Sequence, residues 1–453
     1  MISLFSRFIV GIWRGPISRN LGGAIGVQLS LLVSGTLAAR LLGPANRGYI
    51  AILAAWPSAI GQLGAVGMSL AATYFLSAGR VGGADIIALL RRSALIQIIT
   101  LTLVNSVIIL GYTLVSGAPI LLAACFSLTL LPATVCLDYG IAFLLGSRRH
   151  GAVSVMRILS PAVYAVGMLL LFVLHDRSVS AVAGLFAASA TLAGVVALGS
   201  GVRAVLRIRV KDSLVNELGF GRARTAVLAF GRKGYVGYLS PVDSFRIDQL
   251  VVGFLISPRA LGIYVVGSAF TNFARIVATN IGLSATPEIA AYVTPLEQRH
   301  AVRRTLLLAG GLLTLVTAGL ALFVIVAIPV LFGREYKSSI PVAEILLVAG
   351  WLLSMKRVAV DAMRGAGEAR VGTRAEIVNL ALFLIACVPL GLLLGGPGVA
   401  LALVFASAGG TVVLFRRLRH FDLIGASAPQ APSITPLELA PWFVELSRWG
   451  REG

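Results

Sequence analysis

Charge is what this chain has least of. Asp, Glu, Lys and Arg make up 12% of its 453 residues, against roughly a quarter in soluble domains. A soluble globule needs a charged surface and a disordered chain needs still more polarity, so both are excluded. Acid is the scarcer sign, with 18 Asp and Glu against 38 Lys and Arg. Cysteine is nearly absent. Cys125, Cys136 and Cys387 are odd in number, lie in apolar runs and share no ligand-like spacing with the four histidines. That excludes a disulfide framework and a metal motif, and leaves packing as their role. No GxxxxGK[ST] loop, zinc motif, catalytic triad or dinucleotide fingerprint occurs. The chain is therefore expected to be no enzyme, with no catalytic residue, no metal and no cofactor of its own.

Apolar residues take the place of charge. They make up 58% of the chain, and the mean hydropathy is +0.93. Apolar surface on that scale requires lipid as its solvent, so the fold class expected is an all-α polytopic membrane protein. The formal charge of +20 does not indicate a nucleic-acid partner, because little soluble structure exists to carry a basic face. Of the 38 cations 34 are Arg, which coding bias explains as readily as phosphate chemistry. The N-terminal stretch is short, interrupted by Arg7 and without a small-residue cleavage site, so it reads as an interfacial cytoplasmic helix and not a signal peptide.

A span needs about 20 apolar residues, and dividing the long runs at charge clusters gives twelve. The first six are 21–42, 49–78, 93–115, 119–146, 158–174 and 179–202. The second six are 226–256, 260–285, 305–332, 339–363, 375–394 and 397–415. The run 226–256 holds Arg232, Lys233, Pro241, Asp243, Arg246 and Asp248 and is expected to be broken or bent. Cytoplasmic loops retain cations during insertion. With the N-terminus inside, 26 of the 38 cations fall in cytoplasmic segments, six outside and six within spans. Both termini are thus expected in the cytoplasm. The organisation expected is an N-terminal segment 1–20, a first lobe 21–202, a basic linker 203–225 that contacts anionic membrane lipids, a second lobe 226–417 and a cytoplasmic tail 418–453. The tail ends in PWFVELSRWG, where Trp442, Phe443, Leu446 and Trp449 share one helical face and suit an interfacial anchor.

The halves look like copies. At an offset of 214, Leu41, Pro44 and Gly48 in LLGPANRGY match Leu255, Pro258 and Gly262 in LISPRALGIY, each at the turn after the first helix of its half. Six spans per half give both copies one orientation, so a two-fold axis along the membrane normal would leave a cavity between two lobes. That is a transporter plan.

With these residues in view, the chain resembles the polysaccharide flippases, the O-antigen and capsule exporter type, of the superfamily that also holds multidrug exporters and the lipid II flippase. The likeness spans about residues 17–417. It rests on ARLLGPANRGYIAI and on DSFRIDQLVVGFLISPRALGIYVVGSAF, where the Arg246-Ile247-Asp248 triplet and the Leu261-Gly262-Ile263-Tyr264 turn are most specific. The resemblance implies a MATE-like fold of two six-helix lobes in a bacterial inner membrane. It implies alternating access that moves an undecaprenyl-diphosphate-linked glycan from the cytoplasmic to the outer leaflet for O-antigen or exopolysaccharide biosynthesis. Glycan polymerase and glycosyltransferases would be its partners.

Such a substrate carries about two negative charges across some 30 Å of hydrocarbon, so its site must be cationic and internal. Arg246 and Arg275 are the first candidates, since guanidinium forks match phosphate oxygens in pairs. Arg246 has Asp243 and Asp248 near in sequence, which leaves a structural ion pair open as well. Arg275 shares a helical face with Thr271, Asn272 and Thr279, a polar stripe that suggests a wet lumen. Arg232 and Lys233 could receive the diphosphate or snorkel to the interface. Lys356 and Arg357 pose the same question, with Asp361 as a helical partner. Arg40 and Arg47 flank the first turn and read as solvated. Ion-coupling candidates are the intramembrane acids Asp138, Glu344 and Asp361. The alternative function is a cation-coupled drug or metabolite antiporter of the same superfamily, and the lack of an acid in the first helix weakens it.

Overall fold

The computed structural model describes residues 16–116, 126–210, 213–236, 246–292, 294–366 and 371–423. Residues 1–15, Cys125, Pro241, Asp243 and the aromatic tail lie outside them. No strand occurs among the described residues. In lipid every backbone N–H and C=O must be bonded internally, and a helix does this within one segment.

The first half runs α1 (Pro16–Gly64), α2 (Met68–Ser77), α3 (Gly83–Ser116), α4 (Leu130–Gly146), α5 (His150–Val173) and α6 (Val179–Val205). A short α7 (Leu214–Leu218) and α8 (Phe220–Val236) follow. The second half runs α9 (Ile247–Leu255), α10 (Pro258–Ser268), α11 (Thr271–Ala290), α12 (Pro295–Ala327), α13 (Ser339–Gly365), α14 (Val371–Leu394) and α15 (Gly396–Leu423). Among the described residues eight helices are long and apolar enough to cross a membrane, or nine if α10 and α11, bent by 45°, form one span. Each of the twelve segments read from the sequence meets a helix. The remainder are short or broken, as α2, α4, α8 and α9 are.

Breaks have local causes. Helix α1 holds two segments, because Gly43 adopts φ 70°, ψ 178° and Pro44 follows it. Positive φ at Val66 and Gly67 separates α1 from α2. Starts are capped: Ser257 accepts from the Ala260 N–H at 3.1 Å with Pro258 at the first helical position, and Thr294 and Glu297 form a capping box on α12.

The cores follow the halves. Phe75, Leu89, Val135 and Phe143 anchor one cluster in the first half, while Val360, Met363, Ala375 and Leu414 anchor another in the second. Helix α8 packs on first-half helices: Ala223 and Val227 are buried in their core, and Phe230 stacks on Tyr74 with ring centroids 4.4 Å apart.

The halves meet along α1. Ile52 lies in one core with Val252, Leu261 and Tyr264. Beside it, the two Pro-x-x-x-Gly copies face each other. A Cβ on Gly48 would lie 3.1 Å from Gly262 N and overlap the Pro258 carbonyl, and one on Gly262 would lie 3.2 Å from Gly48 N and overlap that of Pro44. Arg40 Nε donates to the Leu331 carbonyl at 2.7 Å on the same side of the molecule. Further along α1, Gln28 Nε2 donates to the Ala269 carbonyl at 3.1 Å. The repeat legible in the sequence is therefore also a contact between its copies.

Candidate functional site

Between the halves lies a cavity of about 390 Å³. Its walls come from α1, the start of α9, α10, α11, α13 and α15. Among the described residues four arginines line it, Arg47, Arg246, Arg275 and Arg357, with a single acid, Asp248. Gln28, Gln249, Ser268, Thr271, Asn272, Thr279 and Ser354 supply neutral polar groups, and Leu31, Leu32, Val265, Leu346, Leu353 and Leu403 the apolar wall.

Each charged group is placed by its element. Arg246 stands before the first residue of α9 with φ 48° and ψ 42°, a left-handed conformation uncommon for a residue with a Cβ. Its carbonyl accepts from the N–H of Gln249 at 3.0 Å and of Leu250 at 3.2 Å, so the start of the helix holds it there. Asp248, in the first turn of α9, lines the same cavity. Tyr264, fully buried on α10, donates its hydroxyl to Asp248 Oδ2 at 2.8 Å. Arg275 is exposed to the cavity with Thr271, Asn272 and Thr279, so the polar stripe on α11 faces the lumen as its spacing suggested. The Thr279 hydroxyl is turned back to the Arg275 carbonyl at 2.9 Å.

Arg47 was not singled out by sequence, where it read as a solvated turn residue. The break at Gly43 turns the following helix so that Arg47 faces inward. Its guanidinium lies over Gly35, where an added Cβ would come within 3.3 Å of Nη2, and its Nε is buried without a hydrogen-bond partner. A signal was available in hindsight: Arg47 adjoins Gly48, the repeat glycine that must face the other half. Arg40, its companion, is engaged with backbone carbonyls of residues 330 and 331.

Arg357 reaches the cavity on a clamp. Its Nε donates to Asp361 Oδ2 at 3.0 Å, Arg364 Nη1 donates to Oδ1 at 3.2 Å, and the Thr286 hydroxyl donates to the Asp361 carbonyl at 2.9 Å. Gly282 allows this approach, since a Cβ there would lie 3.0 Å from Asp361 Cβ. Asp361 thus has both oxygens engaged by arginines. Lys356 points elsewhere: its Nζ lies 2.9 Å from Glu376 Oε1, with the two side chains 4% and 19% exposed. The pair has the distance of an ion pair without the alignment of a hydrogen bond. Glu376 escaped sequence reasoning because the pairing joins separate helices, α13 and α14.

The other expected residues lie away from the cavity. Arg232 is exposed on α8, and the neighbouring Lys233 belongs to the same helix, its side chain outside the description. Asp138 is exposed on α4 beside Tyr139, whose hydroxyl donates to Gln97 Oε1 at 3.1 Å. Glu344 is exposed on α13.

Burying an arginine at mid-bilayer costs roughly 2.5–3.5 kcal/mol on insertion scales, so arginines inside the bundle require partners or a polar cavity. What the arrangement can do chemically is hold an anion of several oxygens in a wet, partly apolar chamber.

The chain matches no family model, and no curated protein matches it by sequence. Solved structures match its fold. A multidrug-resistance MATE family transporter of the MOP superfamily, in an inward-facing conformation, aligns with TM-score 0.63 at 17% identity over 93% of this chain and 99% of its own. The lipid II flippase MurJ, in an inward closed conformation, aligns with TM-score 0.64 at 12% identity over 94% and 95%. A MOP superfamily transporter from Pyrococcus furiosus, described as having a binding pocket of reverse polarity, gives 0.55 at 16% over 92% and 99%. The chain has an all-helical, MATE-like fold.

Proposed function

We propose that this protein is a flippase that carries an undecaprenyl-diphosphate-linked oligosaccharide from the cytoplasmic to the outer leaflet of the bacterial inner membrane, by alternating access, for polysaccharide biosynthesis. The observation that carries this reading is the cavity's charge, four arginines against one aspartate among the described lining residues. A diphosphate matches it in sign and geometry, and a cationic drug does not. The lipid II flippase among the fold's relatives supports a lipid-linked substrate.

The arginines are spread in depth. By the 1.5 Å rise of a helix, Arg47 lies about one turn from the Gly43 break, while Arg357 lies about 27 Å along α13 from the same end of the bundle. A diphosphate moving along this wall would exchange one guanidinium for the next over about 20 Å and never lack a partner. With sidedness taken from the cation count, the seam of Gly48 and Gly262 closes the outer side, and the basic loops face the leaflet where the glycan is built. The polymerase would receive the glycan outside, and glycosyltransferases would supply it within.

Arg246 and Arg275, joined by Arg47 and Arg357, are the diphosphate ligands in this reading. Arg232 and Lys233, on α8, are assigned the earlier step of drawing the headgroup from the inner leaflet. Among the acids, Asp138 and Glu344 are the ion-coupling proposals, and Asp361 is the least able to serve because both its oxygens are engaged.

Deleting the protein in its native host should leave the prenyl-linked oligosaccharide on the cytoplasmic leaflet, as read by leaflet-resolved labelling of the accumulated lipid. Normal outer-leaflet delivery in that strain rejects the proposal. Altered drug tolerance without glycan loss would favour the antiporter.

A further inference from the structure

Asp248 is the one acid among the described residues that line the cavity, and its position is fixed. The hydroxyl of Tyr264 holds one carboxylate oxygen at 2.8 Å, and Tyr264 is itself fully buried in the core that joins the two halves. Arg246, two residues before it, and Arg275, on α11, line the same cavity. An acid among ligand arginines opposes anion binding, so a site built only for affinity would hold a neutral residue there.

We propose that Asp248 is the resident counter-ion of the cavity: it balances Arg246 and Arg275 when the site is empty, gives way to the ligand's phosphate oxygens on loading, and takes the arginines back on release. This rests on the reading of the cavity as a diphosphate site. The physical need is symmetrical. Arginines left bare in a narrow chamber are costly, and arginines that grip a multiply charged anion without a competitor release it slowly. A tethered carboxylate serves both ends of the cycle. It covers the charge between loads and lowers the affinity enough for turnover, the trade expected wherever tight binding slows exit. Tyr264 sets the strength of this competitor. Its hydrogen bond draws electron density that the guanidinium groups would otherwise receive, and keeps the carboxylate at the wall.

The proposal gives two substitutions opposite signs. Asp248→Asn removes the competitor, so anion binding tightens, by about tenfold if the lost repulsion is about 1.4 kcal/mol, and release slows. Tyr264→Phe leaves the carboxylate but cuts its tether, so Asp248 pairs with the arginines more strongly and anion binding weakens. A merely structural role moves both the same way, toward weaker binding.

The test is equilibrium binding of inorganic pyrophosphate to the full-length protein in nanodiscs, by calorimetry, for the wild type, Asp248→Asn, Tyr264→Phe and Arg246→Ala. The dissociation rate is followed in parallel. Support requires wild-type binding that Arg246→Ala abolishes, tighter and slower-leaving pyrophosphate in Asp248→Asn, and weaker binding in Tyr264→Phe. Wild-type binding with an Asp248→Asn affinity that is unchanged or lower overturns the counter-ion and leaves the diphosphate site standing. No binding to the wild type or to Asp248→Asn overturns both. If Asp248→Asn does not fold, the Tyr264→Phe arm decides: weaker binding supports the proposal, and unchanged or tighter binding overturns it.

Discussion

Gly48 and Gly262 each occupy the place that the other's side chain would need, the backbone nitrogen of one lying within about 3.2 Å of where the other's Cβ would stand. Both stand in the same Pro-x-x-x-Gly pattern, so the two turns form a self-complementary seam. Packing this close admits no methyl group unless the halves part.

Gly48→Ala and Gly262→Ala are therefore expected to insert normally yet hold this end of the bundle open. The measurement is the labelling of a single cysteine at Asn272, in a background without native cysteines, by a membrane-impermeant maleimide added outside. Labelling should rise severalfold in either alanine variant. Unchanged labelling would show that the seam does not gate the cavity.

Arg47 makes the second test, because its place in the cavity came from the structure and Arg232's place outside it did too. Losing one charge-assisted contact costs roughly 1.5–3 kcal/mol, or about 10- to 150-fold in affinity. Arg47→Ala should reduce glycan export by at least tenfold at normal protein level, as Arg246→Ala and Arg275→Ala should. Arg232→Ala, which leaves Lys233 at the entry step, should lower export less than any of these three variants. Export that survives Arg47→Ala and fails in Arg232→Ala would move the site to α8.

The Lys356–Glu376 pair bears on stability. Removing one partner leaves a buried charge uncompensated, and such changes cost about 3–5 kcal/mol, whereas replacing both with apolar residues is often neutral. Lys356→Met alone should therefore lower the thermal midpoint of the detergent-solubilised protein well below that of Lys356→Met with Glu376→Leu. Equal midpoints for the single and double variants would mean that the ion pair contributes nothing measurable.

Ion coupling gives a fourth expectation. Asp138→Asn or Glu344→Gln should uncouple transport from the proton or sodium gradient, seen as loss of gradient dependence in vesicles. Asp361→Asn should instead impair transport without changing that dependence, since it loosens Arg357 and Arg364. Loss of gradient dependence in Asp361→Asn alone would reverse the assignment.

What the sequence carried and what it withheld divide along contact range. Apolar runs placed the helices, because lipid permits little else, and the stripe of Thr271, Asn272, Arg275 and Thr279 revealed its wet face because helical spacing is local. The repeat glycines were visible as a pattern, but their mutual contact was not. Arg47 was misread as solvated because its direction depends on the break at Gly43, a backbone reversal with no periodic signature. Glu376 was missed since its partner lies on another helix. Helix α8 carries basic residues that mark it as linker or span, while its packing on α2 is decided by Phe230, Tyr74 and Phe75. Apart from Arg47, each omission concerns a long-range pairing that hydropathy does not encode.

The most direct test of the arginine-lined passage is flipping in proteoliposomes. Purified protein is reconstituted with a prenyl-diphosphate-linked disaccharide loaded in one leaflet, and its arrival in the other is followed by an impermeant sugar-modifying reagent. The wild type should transfer the lipid, and the Arg246→Ala, Arg275→Ala double variant should fall to the rate of protein-free vesicles. Equal transfer by wild type and double variant would contradict the central claim.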